Sequence, residues 1–128
     1  MGTTVSDELA LELMRFGADV LKCQCPPFLP DIEITPDASD LGQYQQLTIR
    51  LKQWRDGNVI DQAILAHEIV HHIQYFHGLP WSEIEAIAVM CMWLKSKGED
   101  PRKLISFNTI HRLTGDRDFA SLKWLEAA

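Results

Sequence analysis

The stretch that decides the fold is Val59-Ile60-Asp61-Gln62-Ala63-Ile64-Leu65-Ala66-His67-Glu68-Ile69-Val70-His71-His72-Ile73-Gln74-Tyr75-Phe76-His77-Gly78-Leu79-Pro80. From Ile60 to about Phe76 nothing in it breaks a helix; Asn58 or Asp61 can cap the start, and Gly78 followed by Pro80 closes the end. Within it stands His67-Glu68-Ile69-Val70-His71, a His-Glu-x-x-His pattern. Residues four apart lie one above the other on a helix, so both imidazoles can point at one ion while Glu68 flanks the same cleft without ligating. Shuffling a chain of this composition, with its 5 histidines, produces the pattern about 0.01 times.

Upstream, Leu47-Thr48-Ile49-Arg50-Leu51 alternates apolar with polar residues and reads as a strand, ended by the turn at Asp56-Gly57-Asn58. Ile32 and Ile34 mark a shorter strand, and Pro36, Asp37, Ser39 and Gly42 a loop after it. Leu9, Leu13, Phe16, Val20 and Leu21 give residues 6–22 the period of an amphipathic helix capped by Ser6 or Asp7, which Cys25-Pro26-Pro27 cannot continue. Downstream, Ser82-Glu83-Ile84-Glu85 has capping-box spacing and opens an apolar helix that runs through Leu94 to near Gly98. Two short helical patterns, 101–112 and 117–126, complete the chain. The expected fold is α+β: one mostly helical domain over residues 1–128 with a small β-sheet beside the motif helix. Trp54, Trp81, Trp93 and Trp124 are expected in or at the edge of its core.

The composition agrees with one domain, at 128 residues, 46% apolar and 23% charged. A net charge of −6, with no basic cluster, argues against nucleic acid as a partner. No apolar run approaches the roughly 20 residues that span a bilayer, so no membrane segment is expected. Three cysteines, Cys23, Cys25 and Cys91, lack a disulfide framework and suit free thiols in a reducing compartment, which points to the cytoplasm. The first residues lack the cationic start of a signal peptide, although the sequence leaves a removed leader open, and they fit the myristoylation pattern only loosely.

Zinc suits the two histidines, because imidazole ligates it well and a catalytic zinc keeps a position open for a water that Glu68 can deprotonate. A third ligand is required, and three residues compete. His77 has zincin spacing from His71, but Gln74 occupies the place of the chain-reversing glycine, and His77 fits better as a cap on the helix end. Glu85 sits where a capping box would engage it, and Glu83 heads a Glu-x-x-Ala sequence with Ala86, which favours Glu83 over Glu85. His72 points away from His71 and reads as structural. Tyr75, His77 and His111 have suitable chemistry for stabilising an oxyanion, though His111 reads first as a packed or surface residue.

His67-Glu68-Ile69-Val70-His71-His72-Ile73-Gln74, followed by Glu83-Ile84-Glu85-Ala86 and an apolar run to Trp93-Leu94, resembles small bacterial zincin-like metallopeptidases of the glutamate-ligand (gluzincin) type, particularly those with a His-Glu-x-x-His-His-x-Gln core. The resemblance spans roughly residues 45–95. It implies one zinc ion on His67, His71 and Glu83, with Glu68 as the general base. It also implies a peptide or protein substrate, paired along an edge strand that residues 47–51 would supply. Ile87 stands where related membrane-associated peptidases carry an aspartate. The leading expectation is therefore a zinc hydrolase acting on peptides. The alternative is a zinc-binding scaffold or regulatory interaction domain with little turnover. A third reading has a partner protein completing the cleft, since so short a chain leaves little room for a second lobe.

Overall fold

The computed structural model describes residues 4–105. The first helix, α1 (Asp7–Leu21), begins where Ser6 Oγ accepts the Leu9 N–H at 3.2 Å and ends at Lys22 in a left-handed conformation. Its inner face buries Ala10, Leu13, Met14 and Ala18.

Three short strands follow: β1 (Asp31–Ile34), β2 (Gly42–Gln45) and β3 (Thr48–Leu51), in sheet order β1-β3-β2. β1 runs parallel to β3 with Ile32 opposite Ile49, and β2 runs antiparallel with Tyr44 opposite Ile49. Two expectations are corrected here. β2 lies in sequence read as loop, because only Gly42 and Tyr44 face inward while Gln43 and Gln45 face water, which leaves one apolar side chain as a signal. The strand at 47–51 is not an edge: β3 is central, and Leu47 leaves it for a two-residue hairpin turn in which Gln46 and Leu47 have φ of 47° and 71°.

The motif helix α2 (Val59–His77) starts on Asn58, whose Oδ1 accepts the Asp61 N–H at 3.0 Å. The buried Asp61 carboxylate in turn accepts the Arg55 backbone N–H at 2.8 Å and two guanidinium N–H groups at 3.0 Å each. α1, the sheet and α3 (Glu83–Ser96) surround α2, so it is buried continuously from Ala63 to Gln74. It ends at Gly78, in the left-handed region at φ 65°, where the Leu79 N–H reaches back to the Gln74 carbonyl at 2.9 Å.

Ser82 caps α3 by accepting the Glu85 N–H at 3.2 Å, and α3 buries Ala86 through Cys91, Trp93 and Leu94. A single turn, α4 (Pro101–Leu104), follows on Asp100. The helical pattern expected at 101–112 is corrected at Ile105, which is extended and ends the turn; residues 106–112, the pattern at 117–126, His111 and Trp124 lie outside the described residues. Trp54 and Trp93 are in the core as expected, whereas Trp81 is 57% exposed. The architecture is α+β, helices around a small three-stranded sheet, and no helix among the described residues is long and apolar enough to cross a membrane.

Candidate metal centre

Because α2 is covered on every side at its middle turns, its polar residues there are carried into the interior. His67, Glu68 and His71 are 0%, 2% and 1% exposed, and each offers one ligand atom within 4.8 Å of the others. The five residues between α2 and α3 fold α3 back along α2, and this brings Glu83 to the same place. Glu83 Oε1 stands 3.1 Å from His67 Nε2 and 2.9 Å from His71 Nε2. The ligand atoms of His67, His71 and Glu83 therefore converge on one point, with Glu68 beside them.

The protonation pattern follows from Gln74. Its Nε2 donates to the Ser82 carbonyl at 3.1 Å and to Glu85 Oε1 at 2.9 Å, so both of its protons are committed. Its Oε1 accepts the Ser82 N–H at 3.3 Å and faces His71 Nδ1 at 2.9 Å. Flipping the amide would set oxygen against a carbonyl and a carboxylate, so the orientation is fixed by its neighbours. His71 Nδ1 must then be a donor, which leaves the Nε2 lone pair aimed at Glu83 Oε1. Burial opposes the charged form of Glu83, but the two imidazoles beside it, His67 at 3.1 Å and His71 at 2.9 Å, outweigh it and hold the carboxyl down to about 2. Two acceptors that close are tolerable only with a cation between them, either a proton or a metal ion.

Two groups in the centre have no ordinary partner. Neither nitrogen of His67 makes a hydrogen bond, since the Glu83 oxygen at 3.1 Å lies outside hydrogen-bond geometry, and Glu68 Oε2 is likewise unpartnered. Burial, with His71 adding to it, lowers the His67 pKa in spite of Glu83, which favours the neutral imidazole that a metal needs. Burial raises Glu68 well above the usual carboxylate range, and the negative charges of Glu83 and Asp40 add to this. β2 passes directly over this carboxylate: a Cβ on Gly42 would fall 2.9 Å from Glu68 Oε2. The donor set of two imidazoles and a carboxylate, with buried atoms left unsatisfied, fits a divalent ion such as zinc.

The remaining candidates lie elsewhere. His77 Nε2 donates to the Gln24 carbonyl at 2.7 Å, tying the end of α2 to the segment after α1 rather than capping its own helix. Glu85 is engaged by Gln74 instead of reaching back to the Ser82 N–H as a full capping box would. His72 is structural: its Nε2 donates to the Phe28 carbonyl at 3.1 Å and its Nδ1 accepts the Tyr44 hydroxyl at 3.0 Å, which clamps β2 to α2. Tyr75 is 57% exposed, with its ring 6.2 Å from that of Tyr44. The three cysteines are free.

The roles of Gln74, Gly42 and Trp81 at the site were not assigned from the sequence, although Gln74 itself stands in the motif. Gln74 had a signal, since it lies three residues from His71 on the same helix face. Gly42 and Trp81 had none, because both meet the site through tertiary contacts. No protein-family model, curated protein or solved structure matches this chain.

Proposed function

We propose that the protein is a zinc-dependent metallopeptidase of the glutamate-ligand zincin kind, with His67, His71 and Glu83 holding one zinc ion and Glu68 as general base. The observation that carries this reading is the position of Glu83 Oε1, 3.1 Å and 2.9 Å from the Nε2 atoms of His67 and His71. When bound there, zinc would supply Lewis-acid polarisation of a carbonyl and a water acidified to a pKa of about 7. Glu68, its pKa raised by burial, is suited to take a proton from the attacking water and pass it to the leaving amine. Gln74 supports the same reading by keeping the His71 Nε2 lone pair directed at the ion. A peptide substrate is supported by β2, the strand at the end of the sheet order that runs over Glu68, which can pair with an extended backbone where β3 cannot.

A second reading, a zinc-binding scaffold with little turnover, is favoured by the depth of the centre: only Glu83, with 20% of its side chain exposed, opens to solvent. Zinc content and hydrolysis of casein and of a quenched-fluorescent peptide library, measured for the unaltered protein and for Glu68→Gln, separate the two. The peptidase reading expects zinc in both proteins and hydrolysis in the first alone. Zinc without hydrolysis in either selects the scaffold, and equal hydrolysis in both would remove Glu68 from the chemistry.

A further inference from the structure

We propose that Trp81 is a positioning residue of the metal centre: by stacking on His71 and binding the outer oxygen of Glu83, it makes Glu83 present a single oxygen to the ion. This rests on the zinc-binding reading. Trp81 lies in the connection between α2 and α3, one residue before the cap of α3, and is 57% exposed. A tryptophan so far in water gains little from burial, so core packing does not account for its placement. Its ring lies parallel to the His71 imidazole, with centroids 3.6 Å apart and planes 3° from each other. Its indole N–H, a donor with no acceptor capacity, goes to Glu83 Oε2 at 3.1 Å.

These contacts constrain both ligands. His71 is held at Nδ1 by Gln74 and across its ring face by Trp81, so a flip would break the hydrogen bond and a swing would break the stack. Glu83 has two oxygens, and an unrestrained carboxylate can grip a divalent ion with both. With Oε2 bound to the indole, Oε1 alone is directed between the histidines. A centre whose carboxylate contributes one oxygen keeps a coordination position free, which hydrolysis at zinc requires.

The test uses the full chain and two metals. Zinc affinity is measured by competition with a chromophoric chelator, and coordination number is read from the visible absorption of the Co2+ form. Trp81→Phe keeps a ring over His71 and removes the N–H. It should weaken zinc binding by about tenfold, as loss of a ligand-orienting hydrogen bond does, and should dim the Co2+ bands as a second carboxylate oxygen joins the ion. Trp81→Leu should weaken zinc binding further, while thermal unfolding of the metal-free variants stays close to that of the unaltered protein. In a Glu83→Ala background, Trp81→Phe should change affinity by less than about twofold. Zinc binding by the unaltered protein, with unchanged affinity and Co2+ spectrum in Trp81→Phe, would overturn this inference alone. An equal loss in the Glu83→Ala background would also overturn it. Failure of the unaltered protein to bind zinc would overturn the metal reading and this inference together.

Discussion

Replacing Glu68 by glutamine should stabilise the metal-free protein, by an amount that grows with pH. The Glu68 side chain is 2% exposed, Oε2 has no hydrogen-bond partner, and the charges that act on it, Glu83 and Asp40, are both negative. A buried polar group left unsatisfied costs about 1–3 kcal/mol, and more when charged. Glutamine keeps the shape and one unsatisfied group, so the expected gain is the excess due to charge, about 1–2 kcal/mol, or about 4–8 °C in Tm for a domain of this size. The sign follows from linkage. The folded-state pKa of Glu68 lies above its unfolded value of 4.5, so the protonated form is the one the fold prefers. The stability this group allows is fully present below 4.5 and is lost as pH rises through the folded value. The two proteins should therefore converge toward pH 4.5 and separate above it, with the glutamine variant the more stable. Urea unfolding followed by circular dichroism, from about pH 5 to about pH 8 with a chelator present, reads this directly. The chelator matters because a bound divalent ion would neutralise the charge whose cost is being measured. A pH-independent difference, or a less stable variant near neutrality, would refute the reasoning.

Two further changes probe the elements around the centre. Gly42→Ala would place a methyl 2.9 Å from Glu68 Oε2 and 3.2 Å from Ile64 Cγ2, so β2 must lift or the carboxylate must move. The expected loss is about 1–3 kcal/mol by urea unfolding, and an unchanged midpoint would mean that β2 does not press on Glu68. In the hairpin, Gln46 and Leu47 hold φ of 47° and 71°, where Asn-Gly is the favoured pair. Gln46→Asn with Leu47→Gly should raise stability by about 1–2 kcal/mol in thermal unfolding, since Leu47 is 38% exposed and gives up little burial. No gain would mean that the turn is not strained.

What could be read from the sequence divides by the range of the geometry involved. Helix α2, its Asn58 cap and its Gly78 stop depend on neighbours within a few residues, and so does the pairing of His67 with His71. The sheet was only half legible. β1 and β3 carry alternating apolar residues, but β2 is held by Tyr44, whose hydroxyl meets the His72 imidazole 28 residues away, and no local pattern encodes that contact. Trp81 departs from expectation for a related reason: large aromatic residues belong in cores on average, and no local pattern encodes its stack on His71 or its N–H bond to Glu83.

The source of the third ligand candidate is the point at which local and tertiary geometry meet. A glycine three residues after His71 would let the chain reverse and return His77 toward the ion. With Gln74 in that place the helix continues to His77 and turns only at Gly78. That added length carries His77 to the Gln24 carbonyl and hands the position to whatever the returning helix presents first. Glu83 and Glu85 both stand in the first turn of α3, and the spacing of a capping box cannot choose between them. The choice is made by Gln74, which engages Glu85 through Nε2 and His71 through Oε1, leaving Glu83 as the carboxylate aimed at the two imidazoles. The residue that counted against His77 in the sequence is thus the residue that leaves Glu83 facing the two imidazoles in the fold.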